Sequence, residues 1–198
     1  MIRNQSDYLF YLAADKKALE IARDRPRIIG DDIWKFQRLL RKVEYYQNCK
    51  KSFIWKPIYL FALYKLYRSS VKLGFSIKPN VFGPGLCIVH RGTIVVAENA
   101  RIGANCRIHV CVNIGNKAGH SDRAPKIGNN VYIGPGVKIF GDVDLADGIT
   151  IGANAVVNKS FLESDIDIAG VPAKKIGDKG SRGLLIAATE VLSSQREE

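Results

Sequence analysis

The sequence predicts an N-terminal α-helical region followed by a parallel β-helix of hexapeptide repeats. Two observations carry this. From Val96 onward a branched aliphatic residue recurs at every sixth position, and near residue 76 the apolar spacing changes from helical to hexapeptide. A helix gives a period of 3.6 and a half-buried strand a period of 2; a six-residue repeat belongs to stacked solenoid coils.

Residues 1–75 form the helical part. Ser6 is placed to cap a first helix through "DYLFYLAADKKALEIA". In "GDDIWKFQRLLRKVEYY", acids at the start suit a helix N-terminus, and Ile33, Phe36, Leu39, Leu40 and Val43 recur on one face. "WKPIYLFALYKLYRSSVKLG" puts Pro57 near a helix start and Gly74 just past its end. This last segment is basic and aromatic, which suits either packing with solvated Lys and Arg or contact with an anionic membrane surface.

Residues 76–177 form the β-helix. Read in sixes, the chain runs VAENAR, IGANCR, IHVCVN, then IG and an interruption, then IGNNVY, IGPGVK, IFGDVD, LADGIT and IGANAV. Each unit opens with Ile, Val or Leu and carries a small or branched residue fifth: Ala100, Cys106, Val112, Val131, Val137, Val143, Ile149 and Ala155. One unit cannot bury its own apolar side chain, so coils must stack to make a core. The step from Ile114 to Ile127 is 13 residues where six are due, so "GNKAGHSDRAPK" projects as a loop, a common home for function. Residues 178–198, ending "LLIAATEVLSSQREE", read as a further helix or tail.

Composition narrows the classes. The 198-residue chain is 46% hydrophobic and 25% charged, ordinary for a globular protein. No apolar run approaches the ~18 residues of a membrane span, and the N-terminus has no signal-peptide core, which places the protein in the cytoplasm. Cys49, Cys87, Cys106 and Cys111 form no CxxC pair and read as reduced thiols. The net charge is +11; residues 1–75 hold 16 basic against 7 acidic side chains, and no acid lies between Glu44 and Glu98. No nucleic-acid reader motif accompanies that charge.

Counting six back from Val96 lands on His90. If Ile88 fills the inward slot, a two-residue bulge turns His90 outward. An imidazole titrates near neutrality and can take a proton from a hydroxyl. Spacing alone leaves a second reading open, a buried histidine satisfied by the backbone in an irregular first coil. His109 should point outward and His120 lies in the loop; the histidine spacings do not suit a shared metal ion.

The stretches "CIVHRGTIVVAENARIG", "GNKAGHSDRAPKIG" and "IAGVPAKKIG" together resemble serine acetyltransferases and their relatives that acetylate surface polysaccharides, such as the colanic-acid-type enzymes. The resemblance is strong over 76–177 and loose over the helices. It implies a left-handed β-helix, a homotrimer with acetyl-CoA in the cleft between adjacent β-helices, and, in the serine enzymes, two trimers paired through the N-terminal helices. It implies no metal. It assigns His90 as general base and Arg123 to the acceptor. Donor contacts fall on Asn116, Pro135, Thr150 and Ala153, with Lys174 and Lys175 placed to meet the phosphates of CoA.

Three positions depart from the serine enzymes. Val89 stands where an acid precedes the histidine, Ser76 where a second acid orients it, and Ala124 where a histidine precedes the proline. These departures lead to the expectation of an acetyl-CoA-dependent O-acetyltransferase with a roomier, less charged acceptor pocket. The expected acceptor is a carbohydrate hydroxyl of capsule, exopolysaccharide or lipopolysaccharide, met at the inner face of the cytoplasmic membrane. The alternatives are a serine O-acetyltransferase of cysteine synthesis and, from another class, a non-catalytic β-helical scaffold.

Overall fold

The computed structural model describes residues 1–197, with side chains through residue 195. Helix α1 spans Gln5–Ala18, α2 Asp32–Cys49 and α3 Lys56–Leu73 after a short 3₁₀ turn at Phe53–Trp55. The cap of α1 is Asn4 rather than the expected Ser6. Asn4 is extended, and its Oδ1 accepts the Asp7 N–H at 2.8 Å, which draws Ser6 into the first turn. Pro57 lies in the first turn of α3, and Gly74 ends the helix at φ 78°, where a side chain would be strained.

The chain then winds through short strands that stack into three faces. The first face orders β1 (Phe75–Ser76), β3 (Ile94–Val96), β6 (Val112–Gly115), β9 (Lys138–Phe140) and β12 (Val156–Val157). The second holds β4 (Arg101–Ile102), β7 (Lys126–Ile127) and β10 (Asp144–Leu145). The third stacks β2 (Cys87–Ile88), β5 (Arg107–Ile108), β8 (Tyr132–Ile133), β11 (Thr150–Ile151), β13 (Asp167–Ala169) and β14 (Lys174–Gly177). All pairings are parallel except β13 with β14. The result is an N-terminal helical region joined to a parallel-strand β-helix.

The register explains the six-residue period. On the third face Ile88, Ile108, Ile133, Ile151 and Ile168 lie in line, each nearly fully buried. A buried Ile contributes roughly 1.5–3 kcal/mol, so such a ladder is a large part of the driving force. The fifth residue of each unit is buried too, from Ala100 to Ala155. Between strands the chain turns sharply, and Asn105, Asn130 and Asn154 take left-handed φ of 57°, 54° and 58° at equivalent corners. Asparagine tolerates that region, which is why turn-formers fill the middle of each unit.

The helices clamp the open first coil. Arg41 of α2, fully buried, donates to Asp15 of α1 (2.8 Å), to Glu44 (3.0 Å) and to the carbonyls of Phe82 (2.9 Å) and Gly83 (2.6 Å). Asp15 accepts the N–H groups of Gly85 and Leu86, and Glu44 accepts that of Asn80. Backbone groups of the 80–86 segment that have no coil beneath them thus find charged partners instead. Phe36, Leu40 and Val43 continue the β-helix core into α2, with Ala62 and Leu66 from α3.

Helix α4 (Ala188–Glu197) returns to the third face, where Ala188 packs with Ala14, Ala18 and Cys87. The outward face of α3 leaves Leu60, Phe61, Tyr64, Tyr67 and Val71 at least half exposed, beside Lys65, Arg68 and Lys72. Among the described residues no helix is long and apolar enough to cross a membrane.

Candidate active site

His90 follows β2 at the corner where the chain leaves the third face for β3. Ile88 pairs with Ile108 and takes the inward slot, so the coil from Ile88 to Ile108 is two residues longer than three hexapeptides. That surplus carries His90 out of the stack, and its side chain is exposed. Its ring faces His109 of the next coil at 6.2 Å between centroids, and His109 in turn faces Tyr132 at 5.1 Å. Among the described residues no hydrogen bond reaches the His90 ring. His109 is half-buried, and its Nε2 is buried without a hydrogen-bond partner. Burial, with smaller contributions from Arg107 and His90, lowers its pKa and favours the neutral ring.

The same outward face of the β-helix carries other unmatched polar atoms. Arg107, Tyr132, Thr150 and Asp167 stand in register across β5, β8, β11 and β13. Arg107 Nε and Thr150 Oγ1 are buried without partners. Buried polar atoms are nearly always bonded, so these two unmatched atoms single out this stretch of the face.

The other sequence-chosen residues are dispersed. Ser76 is exposed on β1, in register with Val95, and among the described residues no hydrogen bond joins it to His90. Asn116 and Arg123 belong to the ejected loop. Asn116 Nδ2 donates to the Ser121 carbonyl at 3.1 Å while its Oδ1 is buried and unpartnered. The Arg123 side chain is exposed, and its carbonyl closes the loop by accepting the Lys117 N–H at 2.8 Å. Pro135 and Ala153 are exposed at successive turns of the third face. Lys174 and Lys175 separate in character. Lys175 is held by Asp178 (2.5 Å) and Glu163 (2.6 Å), whose carboxylates raise its pKa, whereas Lys174 is exposed and has no ion pair among the described residues.

The structure removes the basis for a roomier acceptor pocket. Ala124 is 6% exposed and points into the β-helix core. Val89 packs toward Ala14, Ala18, Cys87 and Ala188 rather than into open space. Neither side chain widens a cleft. A depression of about 590 Å³ lies along Phe82, Ile102, Ile127 and Leu145 and includes none of the candidate residues. A second groove of about 430 Å³ runs between α3 and β1 and includes Ser76. Among the described residues no cluster of His, Cys, Asp and Glu could hold a metal ion. Sequence reasoning missed the Asp15–Arg41–Glu44 clamp; its signal was the spacing of Gln37, Arg41 and Glu44 beside the apolar Phe36, Leu40 and Val43.

Residues 124–159 match the family described as bacterial transferase hexapeptide (six repeats). A serine acetyltransferase of Synechococcus elongatus is 33% identical over 116 residues, 58% of this chain and 47% of the relative. One from Staphylococcus epidermidis is 31% identical over 141 residues, 65% of this chain and 66% of the relative. The crystal structure of a Brucella abortus serine acetyltransferase in complex with coenzyme A superposes with a TM-score of 0.71 at 29% identity, covering 89% of this chain and 70% of that one. The chain spans about half the length of the first of these curated relatives. These similarities run to serine acetyltransferases and not to the polysaccharide enzymes that Val89, Ser76 and Ala124 led us to expect. The chain carries the bacterial transferase hexapeptide repeat and is similar, in sequence and in fold, to serine acetyltransferases.

Proposed function

We propose that this chain is an acetyl-CoA-dependent O-acetyltransferase whose acceptor is the hydroxyl of serine, the first step toward cysteine. This corrects the carbohydrate acceptor expected from the sequence: the relatives are named serine acetyltransferases, and two of the three departures behind that expectation pack into the protein. One observation carries the proposal. His90 leaves an otherwise aliphatic ladder and stands exposed, in a chain that superposes on a serine acetyltransferase bound to coenzyme A.

In the proposed reaction His90 takes the hydroxyl proton as the serine oxygen attacks the thioester carbonyl. A C–O bond forms, a tetrahedral oxyanion develops, the C–S bond breaks and the proton passes to the departing CoA thiolate. Arg123 supplies a cation for the serine carboxylate. Asn116, Pro135, Thr150 and Ala153 line the donor's path, and Lys174 meets its phosphates. Because these groups are dispersed on one chain, the site is completed by a neighbour. We therefore propose a homotrimer of left-handed β-helices (76–177), with residues 1–75 available to pair trimers and a C-terminal segment from residue 178 whose helix α4 lies against the third face. The basic, apolar outward face of α3 is proposed to touch an anionic membrane surface.

The test is serine-dependent release of CoA thiol by the purified chain. Release that requires both acetyl-CoA and serine, and falls in His90→Ala, supports the reading. Acetyl-CoA binding with no serine-dependent release overturns the acceptor, and no acetyl-CoA binding at all would return the scaffold.

A further inference from the structure

A general base needs more than a suitable pKa. Its ring must be held with one nitrogen free toward the substrate and the other bearing its proton toward an acceptor. His90 has no such acceptor among the described residues. Beside it lies His109, which has a complementary lack: a buried Nε2 with no hydrogen-bond partner among the described residues. We propose that His109 is a positioning residue for His90, accepting the His90 N–H on Nε2 and turning the other His90 nitrogen toward the acceptor hydroxyl. The inference rests on the reading of His90 as base.

Three features of the structure support it. First, His109 directly follows β5, whose residue Ile108 is pinned in the buried ladder and paired on both sides through the parallel register. The ring that does the positioning is therefore next to a rigid element, and the ring being positioned is on an exposed corner. Second, Tyr132 packs on the far side of His109 at 5.1 Å and limits its rotation. Third, burial lowers the His109 pKa and favours the neutral ring, and the tautomer with its proton on Nδ1 leaves the Nε2 lone pair to accept. The charged and titratable groups near the pair are Arg107 on β5, Tyr132 on β8, and Arg91 beside His90, which leans toward Asp32 at 3.6 Å. The ring centroids lie 6.2 Å apart with no hydrogen bond between them, and in the proposed arrangement the exposed His90 side chain turns its N–H toward His109 Nε2. Catalytic hydrogen bonds are often long before substrate binds.

The sign of the effect follows. A neutral acceptor bonds an imidazolium N–H more strongly than a neutral imidazole N–H, so losing the proposed acceptor should move the acid limb of the pH–rate profile to lower pH.

The chain has three histidines, so their imidazole NMR signals can be assigned by single substitution in the intact protein. In His109→Ala we expect the His90 titration midpoint to fall, kcat for serine acetylation to drop about 10-fold to 100-fold, a part of the base's worth, and KM for both substrates to stay within about twofold. His109→Gln keeps a neutral acceptor and should restore most of kcat and the midpoint; a purely structural role would not be rescued in this way. A His90 midpoint unmoved or raised in His109→Ala overturns the proposal, whatever the activity. A midpoint that falls in a protein with no serine acetylation keeps the His109–His90 coupling and ends the serine reading instead.

Discussion

Consider Arg41→Met. The guanidinium is fully buried and holds two carboxylates and two carbonyls at the base of the β-helix. Methionine fills most of the space but leaves Asp15 and Glu44 as buried anions facing each other's charge. Breaking a buried pair from one side costs about 3–5 kcal/mol. Asp15 keeps the N–H groups of Gly85 and Leu86, and Glu44 keeps that of Asn80. These remaining bonds put the loss toward the low end, about 3 kcal/mol, against a total stability of about 5–15 kcal/mol. For a chain of this size that lowers Tm by about 6–12 °C. Urea and thermal unfolding by circular dichroism measure the loss. Amide hydrogen exchange locates it, with the fastest gain at Asn80, Gly85 and Leu86, the donors to the two stranded acids. Arg41→Lys restores a charge without the fork and should recover only part of the stability. Arg41→Met within about 1 kcal/mol of the parent, a change typical of a minor packing loss, with those amides equally protected, would refute the clamp.

The remaining predictions concern charge and chemistry. Burial, partly opposed by Arg41, raises the Glu44 pKa above the ordinary 4.5. A raised acid contributes stability that is full below its unfolded pKa and fades as pH rises through its folded one. Glu44→Gln should therefore gain stability relative to the parent as urea midpoints are followed upward from about pH 4.5; a pH-independent difference would contradict the raised pKa. His90→Ala should cost about 10²–10⁴-fold in kcat, read by CoA thiol release, and near-normal turnover would mean the base lies elsewhere. Lys174→Ala should raise KM for acetyl-CoA about 5-fold or more, the worth of one charge-assisted bond, while Lys175→Ala, whose ammonium is already matched by Glu163 and Asp178, should leave it nearly unchanged. Co-sedimentation with anionic but not neutral vesicles, weakened in Phe61→Glu, is expected of the α3 face; no binding to anionic vesicles at low salt would end that proposal.

The β-helix was legible because its periodic signal is strictly local. Every opening residue from Val96 to Ile151, and every fifth residue from Ala100 to Ala155, is buried in the structure. The helices were legible as elements, through Pro57, Gly74 and the face of Phe36, Leu40 and Val43. Their attachment was not, because Asp15, Arg41 and the 80–86 backbone are far apart in sequence and no period links them. Boundaries also escaped: Ser6 and Asn4 are both good caps, and only the extended backbone of Asn4 chose between them. At the candidate site the pattern showed that His90 broke the ladder, since Ile88 offered a better inward side chain. It did not show that the ring would meet His109, because that contact depends on how one coil's corner lies over the next strand.

The failed expectation of a carbohydrate acceptor turns on the same distinction between pattern and placement. A departure from a family's motif reports on the pocket only when the side chain faces the pocket. Ala124 sits just before Ile127 resumes the repeat, and the structure uses it as core; a small residue there fills space among aliphatics. Val89 donates its N–H to Ile108, and its side chain joins the apolar contact between α1 and α4. Of the three departures, Ser76 alone remains outward and exposed, on a strand that lies beside the groove under α3. Two of the three substitutions are therefore answered by packing, and the proposal gives the orienting role at His90 to a ring that lies beside it in space. In this chain that is the half-buried imidazole of the next coil, not a carboxylate from its own sequence neighbourhood.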